Sequence, residues 1–477
     1  MKGIIAMESF EKHAEVYVKK HLIPGAMIGV SENGQKSYEK GFGYRNVAKR
    51  LLVTGDTVFG IASMTKSFTS AGIMKLQEDG KLSVHDRIVE YLPELKKPKT
   101  QVEQITLHHL MTHTAGYPPL ATHVYARKNS IEQDPSAKDY GLDLLNNPGP
   151  HIETYDEMLS FMANDEFEWL GEPGRFYSYS NDSYGLLGVI TSKVSGQPYE
   201  KFIEETILKP AGMKNSFFDM ELLDEKESVT TLYMKAKDGS HVYEAPLWWD
   251  APSMRSVGYL KSTVSDILRY LEMYWNEGVV AGTRILSKES IEQMIHPHVE
   301  YEPNRCYGYG LRIIPDYFGS TLVSHGGGLK GVSSYMCAIV EKKKAGVILT
   351  NVSDVPAGDL LMSVMNITEG RELAASSETV EVQEIGVDEL SKFVGSYISS
   401  EGMNVKVTLN DDRLSVESNE VIRTLKCIGK NIFIDEDEND GVLQFIEQPN
   451  GEIERIVYGG RHIMKANPEI SHTESHG

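Results

Sequence analysis

Cysteine is nearly absent: Cys306, Cys337 and Cys427 are the three in 477 residues, odd in number and far apart. That spacing offers neither a disulfide framework nor a zinc cluster, and reduced thiols in a core are expected. Long apolar runs are missing too, none approaching the ~20 residues of a membrane-spanning helix. The opening MKGIIAMESFEKHAEVYVKK carries a five-residue apolar stretch before charges begin. A secretory signal needs an apolar core of roughly 7 to 15 residues. The expectation is a cytoplasmic protein with no membrane partner. Basic residues are outnumbered, 48 against 68 acidic, for a net charge of −20. That balance argues against nucleic acid or an anionic lipid surface as main partner, since both attract basic surfaces.

The apolar content, 40%, is ordinary, and the length allows two or three domains with sizeable cores. Asn33-Gly34 between two strand-like runs marks a hairpin. Residues 121 to 152 form a polar insertion containing Pro and Asn, long enough to cover a site. A small, charged stretch, RELAASSETVEVQE, reads as a linker. After it come short alternating segments with turns at Asn410-Asp411-Asp412 and Pro449-Asn450-Gly451, the pattern of a small barrel or sandwich. DEDEND, 435 to 440, reads as a solvated acidic turn.

The four-residue pattern Ser-x-x-Lys occurs at Ser9–Lys12, Ser37–Lys40 and Ser63–Lys66. The first lies on a charged amphipathic helix and the second in a strand, where the two side chains point to opposite faces. Ser63 differs. Met64, Phe68, Ala71 and Met74 behind it form an apolar helical stripe that ends at Asp79-Gly80. Ser63 therefore opens a buried helix, with Lys66 one turn on and on nearly the same side. A helix N-terminus offers unpaired N–H groups to a developing anion. Burial lowers the proton affinity of a lysine enough for it to serve as a base.

Two further segments suit the same chemistry. Tyr179-Ser180-Asn181 lies on a Gly/Pro-rich loop running into a helix, and supplies a second proton carrier and an amide. His325-Gly326-Gly327-Gly328 is expected to end a strand and enter a tight loop, with glycines permitting close backbone approach. Each also has a plain reading, as an ordinary turn and as a hairpin with a surface histidine.

Taken together in this order, Ser63-x-x-Lys66, Tyr179-x-Asn181 and His325-Gly326-Gly327 resemble the three motifs of serine β-lactamases and penicillin-binding proteins. The likeness is to the class C-like branch with its D-aminopeptidase and esterase relatives. ITLHHLMTHTAGYP, EPGRFYSYSNDSYGLLG, ILKPAGMKNSFF and GYLKSTVSDI also match, and the resemblance spans roughly residues 8 to 365. It implies an α/β (α+β) fold: an antiparallel sheet flanked by helices with an all-α region, over 1–372. A linker (373–384), a lipocalin-like β-barrel (385–467) and a flexible tail (468–477) would follow. It implies Ser63 as acylated nucleophile, Lys66 as its activator, Tyr179 as general base and acid, and Asn181 as partner of Lys66 and substrate. The N–H groups of Ser63 and Gly328 would form the oxyanion hole, with Gly326 and Gly327 shaping the loop.

Where β-lactam-active members commonly carry Lys-Thr-Gly, this chain has His325-Gly-Gly. An imidazole titrating near pH 6.5 replaces a permanent cation, and this favours peptide amides, including D-amino-acid peptides, or esters. β-Lactamase or D-Ala-D-Ala carboxypeptidase activity, or an idle penicillin-binding-like sensor, is the alternative. The partner expected is a small peptide, ester or amide substrate, with room for a homo-oligomer. No cofactor is expected. His109 and His113 would share a helical face, but without the Glu of H-E-x-x-H they do not suggest a metal. A lipase-type oxyanion loop is excluded because G-x-S-x-G is absent.

Overall fold

The computed structural model describes residues 2–96, 101–140, 148–378, 381–418, 421–436 and 441–466. Helix α1 (Lys2–Lys20) leads into β1 (Gly25–Glu32) and β2 (Gln35–Asn46), joined at Asn33 and Gly34, both with positive φ. This is the two-residue turn that Asn-Gly favours. With β3 (Leu51–Leu52) these strands form one edge of a nine-stranded antiparallel sheet. The rest of it comes from late in the chain: β4 (Val299–Glu302), β5 (Arg305–Tyr307), β6 (Arg312–Ile314), β7 (Leu322–Leu329), β8 (Val332–Ile339) and β9 (Lys344–Thr350). The order across the sheet is β4-β5-β6-β7-β8-β9-β1-β2-β3.

Central strands are apolar on both faces, as strands covered on both sides must be. Met336 and Ala338 face one core, and their neighbours Cys337 and Ile339 the other. The second core is closed by α1 and the helix Ala357–Thr368. The first core holds helix α2 (Thr65–Glu78) and helix α3 (Asn181–Ser195), the heart of the helical region. Residues 65 to 74 of α2 are buried all round, rather than along one stripe.

The C-terminal strands close an eight-stranded barrel with its own core: β10 (Gly395–Ile398), β11 (Asn404–Asn410), β12 (Arg413–Ser418), β13 (Val421–Gly429), β14 (Ile432–Asp435), β15 (Leu443–Glu447), β16 (Ile453–Tyr458) and β17 (Arg461–Lys465). The architecture is thus the expected sheet with helices, followed by a barrel. The segment before the barrel is tethered at both ends: Asn366 Nδ2 donates to the carbonyls of Leu373 and Ala375, Arg305 pairs with Glu378, and the Gln383 N–H donates to Cys427 O. The acidic stretch at 437–440 and the tail from 467 lie outside the described residues. Among the described residues, no helix is long and apolar enough to cross a membrane. Cys337 and Cys427 are buried and Cys306 is half-buried, all three free.

Two local expectations need correction. The glycines after His325 do not form a loop: β7 runs through them to Leu329, paired with β8, and the chain reverses at Lys330-Gly331. Regular pairing with Ser333 and Ser334 outweighs the flexibility of glycine. The helix carrying His109 ends at Met111, and His113 sits beyond it at φ 58°, so the two histidines share no helical face.

Candidate active site

Ser63 lies in a short 3-10 turn, Ala62–Met64, that feeds α2. Ala62 adopts φ 46°, an uncommon backbone conformation for a residue with a side chain. It is held there by hydrogen bonds from Thr65 Oγ1 to Ala62 O (2.7 Å) and from Ser334 Oγ to Ile61 O (2.8 Å). This turn abuts β7: a Cβ on Gly327 would collide with the Ile61 carbonyl and the Ser334 hydroxyl. Glycine at 327 is therefore needed for close approach of two backbones.

Lys66 is completely buried. Its Nζ donates to Ser63 Oγ (3.2 Å), Asn181 Oδ1 (2.9 Å) and Val257 O (2.8 Å), all neutral acceptors. Burial holds Lys66 below the ordinary lysine range, against the opposing influence of Tyr179 and Glu401. Tyr179 is buried beside it, with Lys66 Nζ 4.9 Å from its ring centre and its hydroxyl hydrogen-bonded to Ser63 and Lys66. Burial alone would raise the phenol. The charge of Lys66, the two hydrogen bonds and Arg461 outweigh it and hold Tyr179 below its usual value. The two shifts are linked, because a charged Lys66 favours the phenolate and a phenolate keeps Lys66 charged. A hydroxyl in contact with such a pair can be relieved of its proton, which is the requirement for nucleophilic attack at neutral pH.

Tyr179 is fixed from behind. His113 packs against it, the rings tilted by 37° with centres 4.4 Å apart, and accepts a hydrogen bond from Ser180 N through Nδ1 (3.0 Å). Ser180 caps α3, so Asn181 begins that helix with its amide turned to Lys66.

His325 belongs to this rear layer and is not a surface residue; it is 1% exposed. Its Nδ1 donates to Gly326 O (2.6 Å), and its Nε2 accepts from the Tyr307 hydroxyl (3.0 Å). Burial, with Arg312 and Lys66 nearby, pushes its pKa well below the usual histidine value. The expectation of an imidazole titrating near pH 6.5 is therefore corrected: it stays neutral.

Ser63, Asn181 and Gly328 line a cavity of about 180 Å³ together with Tyr259, Arg127 and Arg461. Gly328 faces open space at its Cα. Sequence reasoning missed the contribution of the barrel. The β16–β17 turn reaches the site, where Gly460 O accepts from Tyr179 N (2.8 Å) and Arg461 lies 4.8 Å over the Tyr179 ring. Glu401, between β10 and β11, pairs with Arg461 (2.6 Å) and approaches Asn181 Nδ2 (3.4 Å). The local sequences, SEGM and GGRH, carry no motif; only the barrel's docking reveals them. Among the described residues, no cluster of His, Cys, Asp and Glu is suited to a metal ion.

The beta-lactamase family model matches residues 10–363, and the chain belongs to that family, one of serine hydrolases. Penicillin-binding protein 4* of Bacillus subtilis (strain 168) is 25% identical over 417 residues, covering 84% of this chain and 85% of that protein. The octameric penicillin-binding protein homologue from Pyrococcus abyssi superposes with a TM-score of 0.69 at 29% identity, over 96% of this chain and all of its own. The D-amino acid amidase from Ochrobactrum anthropi SV3 shares the fold over 76% of this chain and 96% of its own, with a TM-score of 0.58 at 22% identity.

Proposed function

We propose that the protein is a serine hydrolase that forms an acyl-enzyme on Ser63 and cleaves peptide amides or carboxylic esters. The observation supporting this is the contact of Ser63 Oγ with the buried Lys66 Nζ at 3.2 Å, beside a cavity that Ser63 lines. In this reading Tyr179, with the charge of Lys66 lowering its proton affinity, accepts the Ser63 proton as Oγ attacks the carbonyl carbon. The N–H groups of Ser63 and Gly328 receive the oxyanion. Collapse of the tetrahedral adduct returns the proton through Tyr179 to the departing amine or alcohol. Tyr179 then takes a proton from water as it attacks the acyl carbon, and passes that proton to the departing Ser63 Oγ as the acid is released.

Neutral His325, turned toward Tyr307, supplies no cation, which ranks amides and esters above β-lactams as substrates. The names of the relatives place D-amino-acid amides and penicillins in the first substrate panel. A homo-oligomer is also proposed, on the octameric state of the Pyrococcus homologue, and light scattering checks it. Hydrolysis of 4-nitrophenyl pentanoate tests the main reading. Ser63→Ala and Lys66→Met are each expected to lower kcat/KM by about 10³-fold or more. A Ser63→Ala protein hydrolysing at the wild-type rate would overturn it.

A further inference from the structure

Four charged side chains border or touch the cavity at Ser63, and three are accounted for. Lys66 is bound to Ser63 and Asn181, and Arg461 is paired with Glu401. Arg127 is the exception. It is 5% exposed, lines the cavity, and has no carboxylate partner among the described residues. Its Nε finds no hydrogen-bond acceptor among the described residues, and its polar neighbour is the uncharged Tyr140 phenol. The guanidinium instead lies 5.8 Å from the Tyr140 ring centre and 5.6 Å from that of Trp249.

Aromatic faces offset part of the cost of burying a cation, but an unpaired buried charge is still expensive and is seldom kept without a use. The position is also held firmly. Arg127 sits between the helices Thr122–Ala126 and Lys128–Gln133, and the segment after them is pinned by Asp134. Asp134 accepts from Trp249 Nε1 (2.8 Å) and pairs with Lys330 (2.8 Å), two residues beyond Gly328. The surface as a whole carries a net charge of −20, which repels anions in general. A desolvated cation inside the cavity is therefore a local and selective feature.

We propose that Arg127 is an anion anchor, and that the substrates of the Ser63 site carry a carboxylate that pairs with its guanidinium. This deepens the hydrolase reading and rests on it. Arg127 enters from the insertion at 121–152, so it supplies a cation from a different element than the position held by His325. A guanidinium matches a carboxylate with two parallel hydrogen bonds, which lysine cannot reproduce.

The test compares kcat/KM for two pairs, one near-isosteric and one differing by a ring carboxylate: 4-nitrophenyl hydrogen glutarate against 4-nitrophenyl pentanoate, and 3-carboxyphenyl against phenyl pentanoate. The pairs place the carboxylate on the acyl and on the leaving side. Wild type is expected to prefer the anionic member of at least one pair by roughly tenfold, the lower end for hydrogen bonds to charged groups. In Arg127→Gln that ratio falls toward one, chiefly through KM, and Arg127→Lys restores part of it. An anionic-to-neutral ratio unaltered in Arg127→Gln, or wild type disfavouring both anionic esters, would overturn the proposal. Should wild type hydrolyse none of the four, the hydrolase reading fails, and calorimetry of the glutarate monoester on Ser63→Ala decides separately. Binding weakened about tenfold or more by adding Arg127→Gln supports the anchor. No binding, or binding indifferent to Arg127, removes it.

Discussion

The ion pair between Lys330 and Asp134 is among the most enclosed in the molecule, with side chains 0% and 2% exposed. Lys330 also donates to the carbonyls of Ala245 and Leu247, and Asp134 accepts from Ser136 and Trp249. Removing one partner strands a buried charge. Lys330→Met, close in length and shape, is therefore expected to destabilise the sheet-and-helix part by about 3–5 kcal/mol, the usual cost of breaking a buried pair. Asp134→Asn/Lys330→Met should recover at least half, because neither charge is left alone. The pH dependence has a definite sign. Burial would raise the Asp134 carboxyl, but hydrogen bonds from Lys330 and Ser136 hold it below its ordinary value. Without Lys330 it rises, so the deficit of Lys330→Met should be largest near pH 7 and narrow toward pH 4 as Asp134 takes up a proton. Urea unfolding followed by tryptophan fluorescence reads this directly, since Trp249 belongs to the network. A single-variant cost under about 1 kcal/mol, or a double variant worse than the two singles combined, would refute the reasoning.

Other expectations concern the site. Arg461 lowers both Lys66 and Tyr179, so Arg461→Ala should raise both and shift the acid limb of the kcat/KM profile to higher pH; an unmoved limb would disconnect the barrel from the chemistry. His325, already neutral, should add no step to that profile between pH 6 and 8. Gly327→Ala should displace the Ser63 turn and cost about tenfold or more in kcat/KM with the fold intact by circular dichroism, because its Cβ meets backbone that cannot yield. Burial pushes the Asp182 carboxyl up to about 7, with Thr122 opposing. A raised carboxyl costs stability as pH climbs above its unfolded value, so Asp182→Asn should gain stability over wild type at pH 8 and little at pH 4, by thermal melting.

Much of this site was legible in the sequence, because its parts are local. Ser63 and Lys66 are one helical turn apart, Ser180 caps the helix that carries Asn181, and Asn33-Gly34 dictates its own turn. What escaped depended on long-range packing. Burial of α2 on every side, and not along one stripe, follows from α3 and the sheet enclosing it. The neutrality of His325 comes from Tyr307 and Arg312, distant from any motif. Glu401, Gly460 and Arg461 arrive on barrel turns with no signature of their own, and Arg127 stands out only because it forms no ion pair among the described residues. Local pattern picked out the candidate residues, and tertiary contact set their electrostatics.

The central claim, an activated Ser63, is tested most directly by treating the full chain with excess fluorophosphonate and weighing it intact. One adduct on wild type and none on Ser63→Ala is the predicted result. No adduct on folded wild type, or an equal adduct on Ser63→Ala, would contradict it.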